Sequence, residues 1–167
     1  MKTCVIAAAT LISLSALAQS NTLSKSTYSI KYPSPWSIEG TADAKQFTIK
    51  AAPDSGLMQD NFIENLNLVI YDLTSPMNAQ QYADFSKTTL PQKIKSFAIL
   101  QNAKGSLGKD SWYMVFKGVQ FNKKLQWKQY YIVKGAKVHI LTFTAEATRY
   151  KDYIKTVDAM MKSYAVK

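Results

Sequence analysis

Three long runs rich in apolar and aromatic residues follow one another with almost nothing between them: Trp112 to Gln120, Leu125 to Val133 and Lys137 to Ala145. The connections, Asn122-Lys123-Lys124 and Lys134-Gly135-Ala136, are of hairpin length. A parallel crossover needs a dozen residues or more, so these runs must form an antiparallel meander. In the second run Leu125, Trp127, Gln129, Tyr131 and Val133 point one way and Gln126, Lys128, Tyr130 and Ile132 the other. Both sets carry large apolar residues, so at least one face of the sheet needs helices over it.

The rest of the chain supplies them. Tyr150, Tyr153, Ile154, Val157, Met160, Met161 and Tyr164 recur at spacings of three, four and seven, a single apolar stripe on a C-terminal helix. Asn78 is a good N-cap for an earlier helix, on which Tyr82, Phe85 and Thr89 share a face. Pro91 must kink that helix or open a second short one. Short strands are predicted at Tyr28 to Tyr32, Trp36 to Ile38, Phe47 to Ile49, Leu66 to Tyr71 and Phe97 to Asn102. The expected fold class is α+β, an antiparallel β-sheet flanked by helices.

The start of the chain has a different character. Met1-Lys2 opens a short basic stretch, Val5 to Leu17 is mostly apolar, and Ala16-Leu17-Ala18 gives an A-x-A site. Residues 1–18 therefore read as a secretory signal peptide, and the protein is expected to be exported, periplasmic or extracellular. Gln19 to Thr27 is polar and expected to be flexible, leaving residues 28–167 as one domain. The mature chain of about 150 residues can bury roughly two-thirds of its surface without a disulfide. The only cysteine, Cys4, lies in the signal, so thiol catalysis and zinc–thiolate binding are excluded.

The net charge is +10 at pH 7. Such a surface favours an anionic membrane, an acidic protein or a polyanion. Nearly all the basic residues are lysine, with Arg149 the lone arginine, which argues against nucleic acid. The lysines are scattered, as on any solvated face. Around the second meander run, Lys123, Lys124 and Lys128 with Tyr130 are the candidate partner-binding residues.

Few residues carry recognisable chemistry. His139, the single histidine, shares a face with Leu141 and Phe143 and has no evident catalytic partner. Gly105 to Lys109 is too short for a phosphate loop, and Asp110 follows where Ser or Thr would stand, so a hairpin turn is expected. Asp60, Glu64, Asn65 and Asn67 form one polar cluster before a strand. Oxygen-rich loops suit calcium, but these side chains also serve turns structurally. No cofactor is otherwise implied.

Several stretches resemble the PsbP-like family. They are Tyr28-Ser-Ile-Lys-Tyr-Pro-Ser-Pro-Trp36, Asp60-Asn-Phe-Ile-Glu-Asn-Leu-Asn-Leu68, Leu125-Gln-Trp-Lys-Gln-Tyr-Tyr131, Leu141-Thr-Phe-Thr-Ala-Glu146 and Met160-Met-Lys-Ser-Tyr164. The variant seen here is similar to relatives from non-photosynthetic Bacteroidetes-type bacteria. The resemblance implies an α/β/α sandwich and a non-catalytic accessory protein that docks on an acidic protein or membrane-associated complex. It assigns no chemistry to Asp60, Glu64 or Asn65. The alternative expectation is a small-molecule or lipid carrier with a pocket between sheet and helices.

Overall fold

The computed structural model describes residues 20–52 and 62–167. The expected signal segment lies outside the described residues. The chain runs β1 (Ser20–Ser24), β2 (Tyr28–Pro33), β3 (Ser37–Glu39), β4 (Gln46–Lys50), β5 (Asn65–Asp72), α1 (Ala79–Thr89), β6 (Lys95–Lys104), β7 (Ser111–Gln120), β8 (Lys123–Lys134), β9 (Lys137–Glu146), α2 (Tyr150–Lys162) and β10 (Ala165–Val166). A seven-stranded antiparallel sheet has the order β3-β4-β5-β9-β8-β7-β6. A smaller sheet, β1-β2-β10, stands apart from it.

The meander is present as β7, β8 and β9, and both faces of the sheet are covered. On one face Tyr130, Ile132, Leu141 and Phe143 pack with Tyr150, Val157, Met160 and Met161 of α2 and with Tyr28 and Ile30 of the small sheet. On the other, Leu125, Trp127, Tyr131 and Val138 pack with Ala79 and Ala83 of α1. All seven residues of the predicted C-terminal stripe belong to the first of these cores, Tyr153 and Ile154 from its margin.

Helix α1 begins as its cap predicts. Asn78 Oδ1 accepts from the Gln81 amide while Gln81 Oε1 accepts from the Asn78 amide, satisfying two otherwise orphaned donors. Pro91 lies in a 3-10 turn, Leu90–Gln92, that follows directly. The buried stripe differs from the aromatic face: Ala79, Ala83 and Ser86 are buried, whereas Phe85 is 55% exposed. Small residues let the helix approach the aromatic sheet face closely, and Phe85 is turned outward.

The expected flexible segment is also corrected. Residues 20–24 form β1, paired along its length with β2. Its side chains are mostly exposed and only Leu23 reaches the core, so backbone pairing rather than burial holds it. Nothing in side-chain periodicity signals such a strand.

Strand β6 closes one edge of the large sheet, and its start lies unusually close to β7. A Cβ at Gly118 would stand 2.3 Å from Ile94 Cγ2 and 2.8 Å from the Lys95 carbonyl oxygen. Gly118→Ala should therefore push the start of β6 away and cost about 1–3 kcal/mol. Urea denaturation checks this, and an unchanged midpoint would show that the contact yields freely.

Candidate functional site

Alternation along β8 decides what its lysines can do. Lys123 and Lys124 are adjacent and so point to opposite faces of the sheet. Lys123 forms an ion pair with Glu146 and lies 5.8 Å from the centre of the Phe62 ring. Lys128 pairs with Asp158 of α2 at 2.6 Å, its side chain only 13% exposed, and sits against the rings of Tyr113 and Tyr130. Tyr130 is buried and stacks on Tyr113. Of the four residues singled out from sequence, the structure brings Lys128 and Tyr130 together inside the packing. Only Lys124 is openly exposed.

Lys124 has other company. The register sets Lys95 opposite Val119 and Val119 opposite Lys124, so the two lysines flank one valine in a cross-strand row. Lys117 lies two residues further along β7 on the same face. Lys93 precedes the buried Ile94, which anchors this stretch beneath Gly118. Ser96, at φ +53°, marks an irregularity in the pairing between Lys95 and Ala98. Lys93, Lys95, Lys117 and Lys124 are all exposed, and none forms an ion pair among the described residues.

The β7–β8 hairpin ends beside them. Its connection is the two residues Phe121 and Asn122, not Asn122 to Lys124 as the sequence predicts. Both adopt positive φ, +52° and +59°, as a two-residue turn matched to strand twist requires. Asn tolerates this geometry well, whereas for a bulky phenylalanine it is strained. Phe121 is nonetheless 83% exposed and gains little from packing. With Lys93, Lys95 and Asn122 it borders a shallow concavity of about 330 Å³.

The polar cluster stands elsewhere. Asp60 lies outside the described residues. Glu64 is buried just before β5, and Asn65 and Asn67 occupy the strand face opposite the buried Leu66 and Leu68. Asn65 Nδ2 donates to the Ile63 carbonyl at 3.0 Å, a local structural bond.

At the opposite end of the meander, Leu107, Ile132, Tyr164 and Val166 line a cleft of about 790 Å³, with Lys109, Asp110 and Lys134 also on its walls. The residue after the glycine-flanked turn has a structural task, since the Asp110 carboxylate accepts from the Ala79 amide at the start of α1. Behind the cleft, His139 Nδ1 lies 2.6 Å from the Tyr164 hydroxyl. Burial raises the Tyr164 pKa, so this phenol stays protonated beside the imidazole. Burial, with Lys137 and Lys134 nearby, lowers the His139 pKa to about 4.

Comparison with solved structures places this architecture. The chain superimposes on cyanobacterial PsbP (CyanoP) from Synechocystis with TM-score 0.63 and 12% identity, covering 92% of this chain and 95% of that one. A Pseudomonas aeruginosa protein of unknown function, described as a putative regulator, gives TM-score 0.65 at 12% identity, with 89% and 97% covered. LpqN, involved in cell envelope biogenesis of Mycobacterium tuberculosis, gives 0.62 at 12% identity, with 89% and 91% covered. No family model matches the sequence, and no curated protein matches it.

His139 makes stability depend on pH. Its folded pKa is depressed, so the unfolded chain binds the extra proton between about pH 6.5 and 4, and stability falls as pH drops through that window. His139→Gln should flatten this part of the melting-temperature profile, and a variant as acid-sensitive as the parent would exonerate the histidine. The sheet order, the two covering helices and these structural likenesses agree with the sequence resemblance: the chain has the PsbP-like fold.

Proposed function

We propose that this is a non-catalytic, exported accessory protein that docks on an acidic surface through the basic end of its large sheet. The observation that carries the reading is the group Lys93, Lys95, Lys117 and Lys124, exposed and without carboxylate partners among the described residues. Several lysines elsewhere are matched, since Lys45 and Lys137 share Asp72, Lys50 meets Glu39, and Lys128 meets Asp158. Others, such as Lys104, Lys109 and Lys155, are also exposed without an ion pair among the described residues, and what distinguishes this group is its clustering on neighbouring strands beside one hairpin. Positive charge left unmatched at one end attracts an acidic partner and orients the encounter.

Three further points support it. The single histidine is committed to Tyr164 inside the fold, which leaves it poorly placed as an acid–base catalyst. LpqN, which shares the architecture, is involved in cell envelope biogenesis, in keeping with a role at the envelope here. No helix among the described residues is long and apolar enough to cross a membrane, so contact with an envelope complex would be made from its surface.

A carrier role is the second reading, favoured by the apolar cleft beside Tyr164 and Val166. It predicts a co-purifying small molecule in native mass spectrometry, and a ligand-free spectrum would remove its support.

Docking is tested by retention of native envelope proteins on the immobilised chain, washed in low and then high salt. Partner retained at low salt should elute near about 0.5 M, where the screening length is only a few ångströms. Reversing Lys95 and Lys124 to Glu together should cut low-salt retention at least about tenfold. Equal retention by this variant would place docking elsewhere.

A further inference from the structure

The turn residue Phe121 is costly to the fold and contributes little to it. Its φ of +52° is one that bulky side chains rarely adopt, and its ring is 83% exposed. Asn122 beside it is the kind of residue such a turn favours. Stability alone would select a small or amide side chain at position 121 as well.

The surroundings indicate what an exposed ring could serve. Lys93 and Lys95 border the same concavity as Phe121, and Lys124 follows three residues later. The ring projects from the apex of a hairpin and is not part of a flat apolar face. A rigid protein partner would need a matching socket to gain from it. A bilayer interface needs none, because the headgroup region deforms around an aromatic side chain while acidic lipids meet the lysines.

We propose that the Phe121–Asn122 hairpin tip is a membrane-surface anchor, inserting the Phe121 ring among the headgroups of anionic lipids while Lys93, Lys95 and Lys124 neutralise them. This deepens the docking reading and rests on it: the acidic surface is the lipid itself. Each lysine near an anionic bilayer is worth about 1 kcal/mol, a roughly five-fold change in partitioning.

Co-sedimentation with vesicles tests it. Vesicles of phosphatidylcholine with about 30 mol% phosphatidylglycerol should pull down the full chain at low salt, and vesicles of phosphatidylcholine alone should not. Phe121→Asn should weaken binding about tenfold through lost apolar insertion. The same variant relieves the turn and should raise the melting temperature by about 3 °C, so a loss of binding could not be ascribed to misfolding. Lys95→Gln and Lys124→Gln should each cost about five-fold. Phe121→Asn binding as tightly as the parent would overturn the anchor. Failure of the parent to bind anionic vesicles, with salt-sensitive retention of envelope proteins intact, would overturn the lipid assignment and leave docking on an acidic protein. Failure in both assays would overturn both.

Discussion

Strand β8 is buried on both of its faces, and the rest of the molecule is arranged to make that tolerable. Its odd-numbered side chains Leu125, Trp127 and Tyr131 pack under α1. Its even-numbered Tyr130 and Ile132 pack under α2. A twelve-residue strand between two cores cannot slip register, because a one-residue shift would exchange every contact on both sides. Its neighbours β7 and β9 share that constraint through continuous pairing. The outer strands are freer, and β6 is largely exposed along the sheet edge with lysines near both of its ends.

This two-sided burial also explains where charge can be left unmatched. A lysine in the middle of β8 must be neutralised to be accommodated, as Lys128 is by Asp158 and the rings of Tyr113 and Tyr130. Toward the strand ends water screens the charge, and Lys95, Lys117 and Lys124 stand open. The fold itself thus sorts lysines into structural and available ones, and Lys93, Lys95 and Lys124 are the available ones that lie beside the β7–β8 turn.

The meander and α2 were legible because their periods, two and about 3.6, extend over nine or more residues each. The Asn78 cap was legible because its partner Gln81 is three residues away. The site was not. Glu146 lies 23 residues from Lys123, and Asp158 lies 30 from Lys128, so no local pattern shows that these lysines are paired. Lys95 meets Lys124 across Val119 only through the sheet register. Strand β1 carries almost no apolar signal, and the outward turn of Phe85 follows from the small residues on the other side of α1. Phe121 could have been noticed as a large ring beside Asn122 in a hairpin connection, but its backbone geometry depends on a turn of two residues, where three residues had been expected.

The small sheet joins the two ends of the described chain. Strand β10 pairs with β2, the Lys31 amide donates to Ser163 Oγ across 132 residues, and Tyr28 stacks on Tyr164 in the core. Strand β2 therefore has no complete neighbourhood until β10 is in place. A chain delivered residue by residue would hold its first core strand half-finished until that C-terminal segment arrived. Closure of the domain then waits on β10 and Tyr164, and the buried Tyr28 gains its full set of neighbours only when they dock.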